Sequence, residues 1–429
     1  MNRRVLILIF TFCFLTSCAA PPNNPTTANV NTAPPATTAP SPAAPPESST
    51  PITLPLLNAL LGDENFVKEL TSRVKLTNEQ IDSLKRVSNE AIVRLQEANA
   101  EENDDTNGDP RARATEQLNE ILGDQKARDL TAFANEYWSK GDPSEATANG
   151  PQMLPGPNAV PTDTRVVVNI PAFRMDLFQD GSLVKSYQVG IGYPQFPLPQ
   201  GLRKASQIIF NPTWTPPDEP WVAKMKNVTP GETVEAGSKL NPLGPIKIPI
   251  GLPSLIHGGK APAKIGKFAS HGCVGMTNNQ VKDFALLLSK ASGTELSDTT
   301  LAGYLEDKEE TKTVKLKETI PVELRYETIV LEDGKLYVYP DVYKQDTNTE
   351  ENVRKVLEAQ GGKFEDLSEE QRAEIRDALA GKTKPAKGEK GVVIELTALA
   401  GKGYPVPVNL DNGSGKPPKP QKGTKRTNH

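Results

Sequence analysis

Apolar residues recur with a helical period through the first part of the chain, from residue 54 to residue 140. Thr77-Asn78-Glu79-Gln80 has the form of a capping box and opens a run whose apolar positions share one helix face. A second helix is predicted after a polar loop at 103–110. The apolar positions are Ile81, Leu84, Val87, Ala91 and Leu95 in the first helix, and Leu118, Leu122, Ala127, Leu130, Ala134 and Tyr137 in the second. We therefore predict a small all-α module over 54–140, a spacer or interaction domain whose protein partner is unknown.

The pattern changes to that of β-strands after a loop at 141–164. An Asp180-Gly181 turn between two alternating runs is typical of a hairpin, and Asp333-Gly334 gives a second one. One helix is predicted among the strands, at 279–291. The predicted strands are 165–170, 175–178, 183–189, 208–210, 246–250, 255–256, 328–331 and 336–339. This order predicts a β-rich domain over 165–345, with mixed sheets and few helices rather than alternating βαβ units.

The rest of the chain extends this domain. Residues 346–412 contain a charged helical stretch at 350–380 and a short apolar run at 392–396. Residues 413–429 carry five basic residues and no acidic one, which predicts a disordered basic tail. The predicted fold class is multidomain α+β, in which a helical module precedes the β-rich domain and a partly helical extension follows it.

The first residues have the form of a signal peptide. Arg3 and Arg4 precede an apolar stretch of eleven residues, Val5–Leu15, in which Thr11 is the one polar residue. A helix that spans a bilayer needs about 20 residues, so this stretch fits the apolar region of a signal peptide instead. We predict a signal peptide at 1–17.

A lipid anchor is predicted directly after it. Leu15-Thr16-Ser17-Cys18 resembles the lipobox of bacterial lipoproteins, which implies that Cys18 becomes the lipid-modified first residue. Residues 18–53 are rich in Pro, Thr and Ala and carry a single charge, which predicts an extended tether. Ala19 is compatible with outer-membrane sorting. The expected location is the cell envelope, as an outer-membrane lipoprotein facing the periplasm, or the extracytoplasmic membrane surface in a monoderm.

Charge and cysteine content limit the classes of function that this protein can have. The 49 Lys and Arg residues against 53 Asp and Glu residues give a net charge of −4, so we expect no nucleic-acid partner. The three cysteines are Cys13, Cys18 and Cys273, of which only Cys273 belongs to the mature body. A single thiol cannot form an intramolecular disulfide, so its role is either packing or chemistry.

Two of the three histidines, His257 and His271, lie within 16 residues upstream of Cys273. A thiol with a neighbouring imidazole is the arrangement for acyl transfer through a thioester, because the imidazole accepts the thiol proton. Three other interpretations stay open from the residues alone: a buried structural pair, a zinc site, and chance proximity. A structural zinc site usually needs four ligands, more Cys and His than this body has.

The run from His257 to Val274 resembles the signature of the L,D-transpeptidases with a YkuD-type catalytic domain. In both, a first His-Gly is followed, after a spacer containing Pro and Ile-Gly, by Ser-His-Gly-Cys, here residues 270–273. Similar stretches also lie at 170–175, 189–192, 210–214 and 241–244. The resemblance covers about 165–345 and implies the fold of that family for this part of the chain.

The resemblance also implies roles for individual residues. Cys273 is implied to be the nucleophile and His257 the base, oriented by the backbone carbonyl of Gly258. His271 is implied to shape the site, while backbone amides around Gly272 and Cys273 hold the oxyanion. The candidate catalytic residues are Cys273, His257, His271 and Ser270, with the backbone of Gly258 and of Gly272. No metal or cofactor is implied.

One position departs from the family pattern. Gly275 stands two residues after the cysteine, where the family usually has Arg or Asn, so a side chain that positions substrate is missing. Lys260, on the loop between the two histidines, offers a positive charge instead. We predict Lys260 and Trp214 as substrate-binding residues.

The expected function is that of a cell-wall L,D-transpeptidase. It acts on peptidoglycan stem peptides, forming cross-links or attaching protein to peptidoglycan through a cysteine thioester. Two alternatives stay open: an L,D-carboxypeptidase or cross-link hydrolase that passes the same thioester to water, and a peptidoglycan-binding lipoprotein silenced by the change at Gly275.

Overall fold

The computed structural model describes residues 52–97, 109–140, 152–217, 222, 225–251 and 254–414. The predicted signal peptide, Cys18, nearly all of the predicted tether and the basic tail from residue 415 onward lie outside these ranges. Within them, none of the helices combines the length and the apolar composition of a membrane span.

The described part of the amino-terminal module contains five α-helices. They are α1 (Leu54–Leu61), α2 (Glu64–Arg73), α3 (Asn78–Glu97), α4 (Pro110–Leu122) and α5 (Asp124–Lys140). The predicted capping box of α3 is confirmed, because the Gln80 amide donates to Thr77 Oγ1 at 3.3 Å and the Thr77 amide donates to Gln80 Oε1 at 3.1 Å. A leucine-rich core around the fully buried Phe66 joins the helices.

The single second helix predicted for this module is wrong, since α4 and α5 are separate helices. Gly123 lies between them with φ 74°, a left-handed conformation that ends α4. The apolar period continues across the break because α4 and α5 contribute to the same core. Periodicity alone therefore did not reveal the interruption.

An eight-stranded sheet forms the body of the following domain. Its strands are β1 (Arg165–Asn169), β2 (Arg174–Gln179), β3 (Ser182–Gln188), β5 (Gly201–Phe210), β6 (Ile246–Pro249), β7 (Leu255–His257), β9 (Val274–Gly275) and β10 (Lys312–Arg325). Their order is β3-β2-β1-β10-β5-β6-β7-β9. The pairs β1/β10 and β7/β9 are parallel and the other pairs are antiparallel.

A separate pair of strands and two helices complete this domain. The short strands β4 (Ile191–Gly192) and β8 (Phe268–Ser270) form a separate parallel pair. Two helices, α6 (Asn278–Ala291) and α7 (Asp298–Glu306), follow β9, so the prediction of one helix among the strands is wrong. The predicted fold class is confirmed: the protein is a mixed α+β structure with an amino-terminal helical module and carboxy-terminal helices.

The central strand β10 has no counterpart in the sequence-based prediction. Pro321 and six charged residues interrupt its apolar pattern. In the fold, Glu323 lies opposite Val167 of β1 and forms ion pairs with Arg165 and Arg325, so these charges are compatible with a central strand. Arg325 belongs to β10 itself, whereas Arg165 comes from the neighbouring strand β1 and is not visible in the local sequence.

A second, three-stranded antiparallel sheet combines strands from the predicted 165–345 domain with one strand of the carboxy-terminal extension. It consists of β11 (Ile329–Glu332), β12 (Lys335–Val338) and β13 (Val392–Glu395), with the helices α8 (Glu350–Ala359) and α9 (Glu369–Leu379) packed on it. The predicted Asp333-Gly334 hairpin of β11 and β12 is confirmed. Its second strand, β12, pairs with β13, and neither strand belongs to the large sheet.

A buried ionic cluster joins the three-stranded sheet to the large sheet. Arg174 of β2 contacts Asp176 at 2.9 Å and Glu332 of β11 at 2.5 Å, and all three side chains are almost fully buried. Burial raises the pKa of Glu332 to about 7, an effect that the positive charge of Arg174 opposes. Arg174 therefore compensates two carboxylates that have lost their water.

We expect Arg174→Met to lower the free energy of unfolding by about 3–5 kcal/mol, because the substitution leaves Asp176 and Glu332 buried without a cation. The loss should be larger at pH 8.5 than at pH 6, since Glu332, whose pKa burial raises to about 7, is easier to bury when protonated. Urea denaturation at the two pH values measures both effects. Arg354→Met is the matched control, because Arg354 also contacts two carboxylates, Glu350 and Glu365, but at the surface. The stability of this variant should stay close to that of the wild type. Equal losses in the two variants would contradict the prediction.

Candidate active site

Two short parallel strands bring the predicted residues together. In the register of β7 and β9, Ile256 lies opposite Val274 and His257 opposite Gly275. The Met276 amide donates to the His257 carbonyl at 2.8 Å and extends this pairing. The turn that carries Cys273 leads directly into β9, so the histidine and the cysteine lie on neighbouring backbone segments although 16 residues separate them.

His257 is held in its neutral form. Its ring is buried, and Nδ1 lies 2.7 Å from the carbonyl oxygen of Gly258. A carbonyl oxygen only accepts, so Nδ1 carries the proton and Nε2 keeps a lone pair. Burial lowers the pKa of His257 to about 3, and the positive charge of Lys260 acts in the same direction. The imidazole is therefore able to act as a base at any pH near neutrality.

Cys273 lies in a tight turn shaped by its neighbours. Ser270 Oγ accepts from the Cys273 amide at 3.0 Å and donates to the Cys273 carbonyl at 2.5 Å. Gly272 has φ 94°, a conformation that favours glycine, and its carbonyl accepts from Ser254 Oγ at 2.8 Å. These contacts fix the backbone on both sides of the half-buried thiol.

The electrostatic environment keeps the resting thiol protonated. Burial raises the pKa of Cys273, while the Leu255 amide and the positive charge of Lys260 partly oppose this effect. With His257 also neutral, the resting pair is thiol and imidazole rather than thiolate and imidazolium. The proton must then move during the reaction.

The geometry identifies one of the two predicted oxyanion donors as available. The Cys273 amide already donates to Ser270 Oγ. The Gly272 amide, by contrast, has no hydrogen-bond partner within the described part of the chain. Gly272 N–H is therefore the donor that is ready to bind a developing negative charge beside the thiol.

His271 lies against an aromatic loop. Its ring packs edge-on against Phe196, with centroids 4.6 Å apart, and against Tyr193 at 5.6 Å. The same loop reaches the helical module, where Thr53 Oγ1 donates to the Gln195 carbonyl at 2.6 Å. His271 thus lies between the turn of Cys273 and this loop, and its implied role in shaping the site stays a prediction.

The two predicted substrate-binding residues lie in different places. The stem of Lys260 runs along Gly275, and its ammonium interacts electrostatically with Cys273 and His257. Trp214 lies in the long loop between β5 and β6, in an antiparallel bridge with Val234. Lys260 therefore belongs to the surroundings of the thiol, whereas Trp214 belongs to the loop between β5 and β6.

Sequence reasoning missed several contributors. Ser254, the Leu255 amide and the rings of Tyr193 and Phe196 are outside the signature, and nothing in the local pattern indicates their role. Asn278 is different, because its position at the start of α6 could have drawn attention to it. Its Oδ1 accepts from the Gly259 amide at 2.7 Å. For the zinc alternative, the described residues contain no cluster of three or more His, Cys, Asp or Glu side chains that could hold a metal ion.

The family comparison agrees with this geometry. Residues 163–298 match the sequence model of YkuD, the L,D-transpeptidase catalytic domain. This segment is similar to an L,D-transpeptidase catalytic domain. The match covers about a third of the chain and includes every residue of the site described above except Thr53. No curated protein is similar enough in sequence to count as a match.

Three solved structures are similar to part of the chain. The Ldtfm-avibactam carbamoyl enzyme is 15% identical, with 38% of this chain and 49% of that chain covered and a TM-score of 0.23. The catalytic domain of the E. faecium L,D-transpeptidase is 16% identical, with 39% and 100% covered and a TM-score of 0.25. The L,D-transpeptidase from Mycobacterium smegmatis is 17% identical, with 38% and 58% covered and a TM-score of 0.22.

The alignment spans about half the length of the first of these proteins. With TM-scores of 0.22–0.25, these structural similarities are weak, and the match of residues 163–298 to the YkuD model is the more specific similarity.

We expect Gly272→Ala to lower the free energy of unfolding by about 1–2 kcal/mol, because alanine at φ 94° is strained even though its Cβ has space. Relaxation of the strain should also shift the Cys273 peptide and slow alkylation of the thiol. Gly303→Ala is the control: Gly303 lies in α7 with an ordinary φ and open space around its Cβ, so this variant should be neutral or slightly more stable. Urea denaturation and iodoacetamide kinetics test both variants. A Gly272→Ala protein with wild-type stability would contradict the strain argument.

Proposed function

We propose that this protein is a cell-wall L,D-transpeptidase that works through a thioester on Cys273. The observation that carries the proposal is the neutral His257 imidazole, whose Nδ1–H is held by the Gly258 carbonyl, beside a turn that presents one thiol and the unpaired Gly272 amide. Base, nucleophile and oxyanion donor are the three parts that acyl transfer requires. The family match of residues 163–298 supports the same reaction class.

In the first half of the proposed reaction, Cys273 Sγ attacks the carbonyl carbon of the third residue of a stem peptide. The thiol proton passes to His257 Nε2 as the S–C bond forms, and the Gly272 amide stabilises the oxyanion. The tetrahedral intermediate then collapses and breaks the C–N bond to the terminal D-alanine. His257 gives the proton to the leaving amine, so a thioester and free D-alanine result.

In the second half, the side-chain amine of a neighbouring stem peptide attacks the thioester carbon. This amine gives a proton to His257 as its N–C bond forms, and the C–S bond breaks. The proton returns to the Cys273 sulfur, which restores the resting thiol and neutral imidazole. The product is a cross-link between two third-position residues.

We expect Cys273→Ala to reduce turnover of tetrapeptide muropeptides at least about a thousandfold, because no other described group supplies the nucleophile. The full chain in detergent is incubated with the muropeptides and the products are identified by mass. The variant should keep the wild-type unfolding transition, since alanine fits the half-buried site of the thiol.

The products also decide between the candidate activities. Cross-linked dimers support the transpeptidase, whereas tripeptide alone would indicate the carboxypeptidase or hydrolase. Unchanged muropeptides with the wild-type protein, or equal turnover by Cys273→Ala, would overturn the thioester proposal.

The proposed location is the envelope, where the lipid on Cys18 holds the enzyme near its substrate. The support is the lipobox-like Leu15-Thr16-Ser17-Cys18 after an apolar stretch too short to span a bilayer. The Pro-rich segment that follows would let the catalytic domain reach peptidoglycan at a distance from the membrane.

We expect Cys18→Ser to move the protein from the detergent phase to the aqueous phase in a detergent-partition experiment on cells expressing the full chain, because the lipid attachment site is lost. Cys13→Ser is the matched control, since it removes a cysteine from the apolar stretch and leaves the lipobox intact. The control should stay in the detergent phase. Retention of Cys18→Ser in that phase would show that lipid on Cys18 is not the anchor.

A further inference from the structure

The backbone conformation at Gly275 does not require a glycine. It is buried in β9, and its φ lies outside the left-handed region. Its amide donates to the Gly190 carbonyl at 2.9 Å, and its carbonyl accepts from the Gly190 amide at 2.8 Å. Any residue can adopt this extended, fully hydrogen-bonded conformation. The reason for a glycine must therefore lie in the space around its Cα.

The side chain of Lys260 fills that space. A Cβ added to Gly275 would lie 2.8 Å from Lys260 Cγ, 2.9 Å from Cε and 3.3 Å from Cδ, closer than carbon atoms normally approach. These are the nearest atoms to the added Cβ, and all three belong to the stem of one side chain. A side chain at position 275 and Lys260 in its present conformation exclude each other.

The backbone holds Lys260 in this position. Its amide donates to the Met276 carbonyl at 3.0 Å, which continues the pairing of β7 with β9 beyond His257. Lys260 thus begins beside Met276, and its stem lies along Gly275, two residues after Cys273. The stem occupies the space that the glycine leaves.

The end of this side chain carries the positive charge that acts on the site. Burial lowers the pKa of Lys260, the thiol opposes this effect, and the charge of Lys264 on the same loop reinforces it. The other titratable groups around the thiol are His257 on β7, which is neutral, and His271, whose ring packs on Phe196. Among the described residues, Lys260 is therefore the cation whose charge lowers the pKa of Cys273.

We propose that Lys260 and Gly275 act as one unit, in which the glycine makes room for the lysine and the lysine stabilises the thiolate of Cys273. Lys260 is a positioning residue that acts through the sulfur. When the thiol proton leaves, the ammonium faces the new negative charge in a site from which water is largely excluded, where such a pair is strong. The proposal rests on the proposed thioester chemistry but concerns ionisation of the thiol, which can be measured without any peptidoglycan substrate.

The test is the pH dependence of alkylation at Cys273, from pH 5 to pH 10. The full chain is treated with iodoacetamide, which reacts with the thiolate, and the tryptic peptide that contains Cys273 is quantified by mass: 268–282, or 265–282 in the Lys267→Met variant, which lacks the cleavage site after residue 267. We expect Lys260→Met, which keeps the stem and removes the charge, to slow alkylation about tenfold near neutral pH and to shift the profile to higher pH. Lys260→Arg should restore most of the rate. Lys267→Met, which removes an exposed charge from the same loop, should behave as wild type.

A double-mutant cycle tests the role of the glycine. Gly275→Ala alone should slow alkylation by a similar factor, because its Cβ displaces the lysine stem. In a Lys260→Ala background the same substitution should cause no further loss, since the stem is gone. This non-additivity is the signature of the proposed unit.

Two results would overturn the proposal: a wild-type pH profile for Lys260→Met, or an equal further loss from Gly275→Ala in the Lys260→Ala background. Muropeptide turnover reports separately on the proposed function. A protein that alkylates as predicted but leaves muropeptides unchanged would refute the transpeptidase reaction and support the lysine–thiol pair.

Discussion

The candidate site depends on the pairing of two very short strands, β7 and β9. This pairing sets His257 opposite Gly275 and brings the turn of Cys273 beside the histidine. Each strand alone makes too few hydrogen bonds to be stable, so the large sheet on one side and the Gly190 bridge on the other must hold them. Once they are held, the backbone segments that carry the thiol, the imidazole and the lysine lie side by side.

Loss of water determines what this arrangement can do. Burial favours the neutral forms of both His257 and Cys273, so the resting site carries no charge on its base or nucleophile. The nearby Lys260 charge favours the neutral imidazole and the ionised thiol at the same time. This cation therefore assists ionisation of the thiol, but it opposes the positive charge that His257 takes on when it accepts the proton.

Parts of the chain outside the family match contact the domain that holds the site. Thr53 of the helical module bonds to the loop that carries Phe196, against which His271 packs. At the other end, the Asp411 carbonyl accepts from the Gln188 amide and from Gln280 Nε2, and Arg174 joins the large sheet to β11. The module and the extension are thus packed against the catalytic domain, so changes in either can alter the walls of the site.

The sequence by itself determined the elements whose signals are local and the residues whose chemistry is rare. The capping box at Thr77, the two Asp-Gly hairpins and the β-rich character of the domain follow from short-range backbone preferences, and one thiol near two histidines stands out by composition. Tertiary structure decided the rest. The strand β10 can carry Glu323 at the centre of the sheet because Arg165, distant in sequence, pairs with it alongside Arg325, and Gly275 makes room for a lysine fifteen residues earlier in the chain. These relations depend on which segments become neighbours, and that choice is made by burial and pairing over the whole sheet rather than by the residues next to one another in sequence.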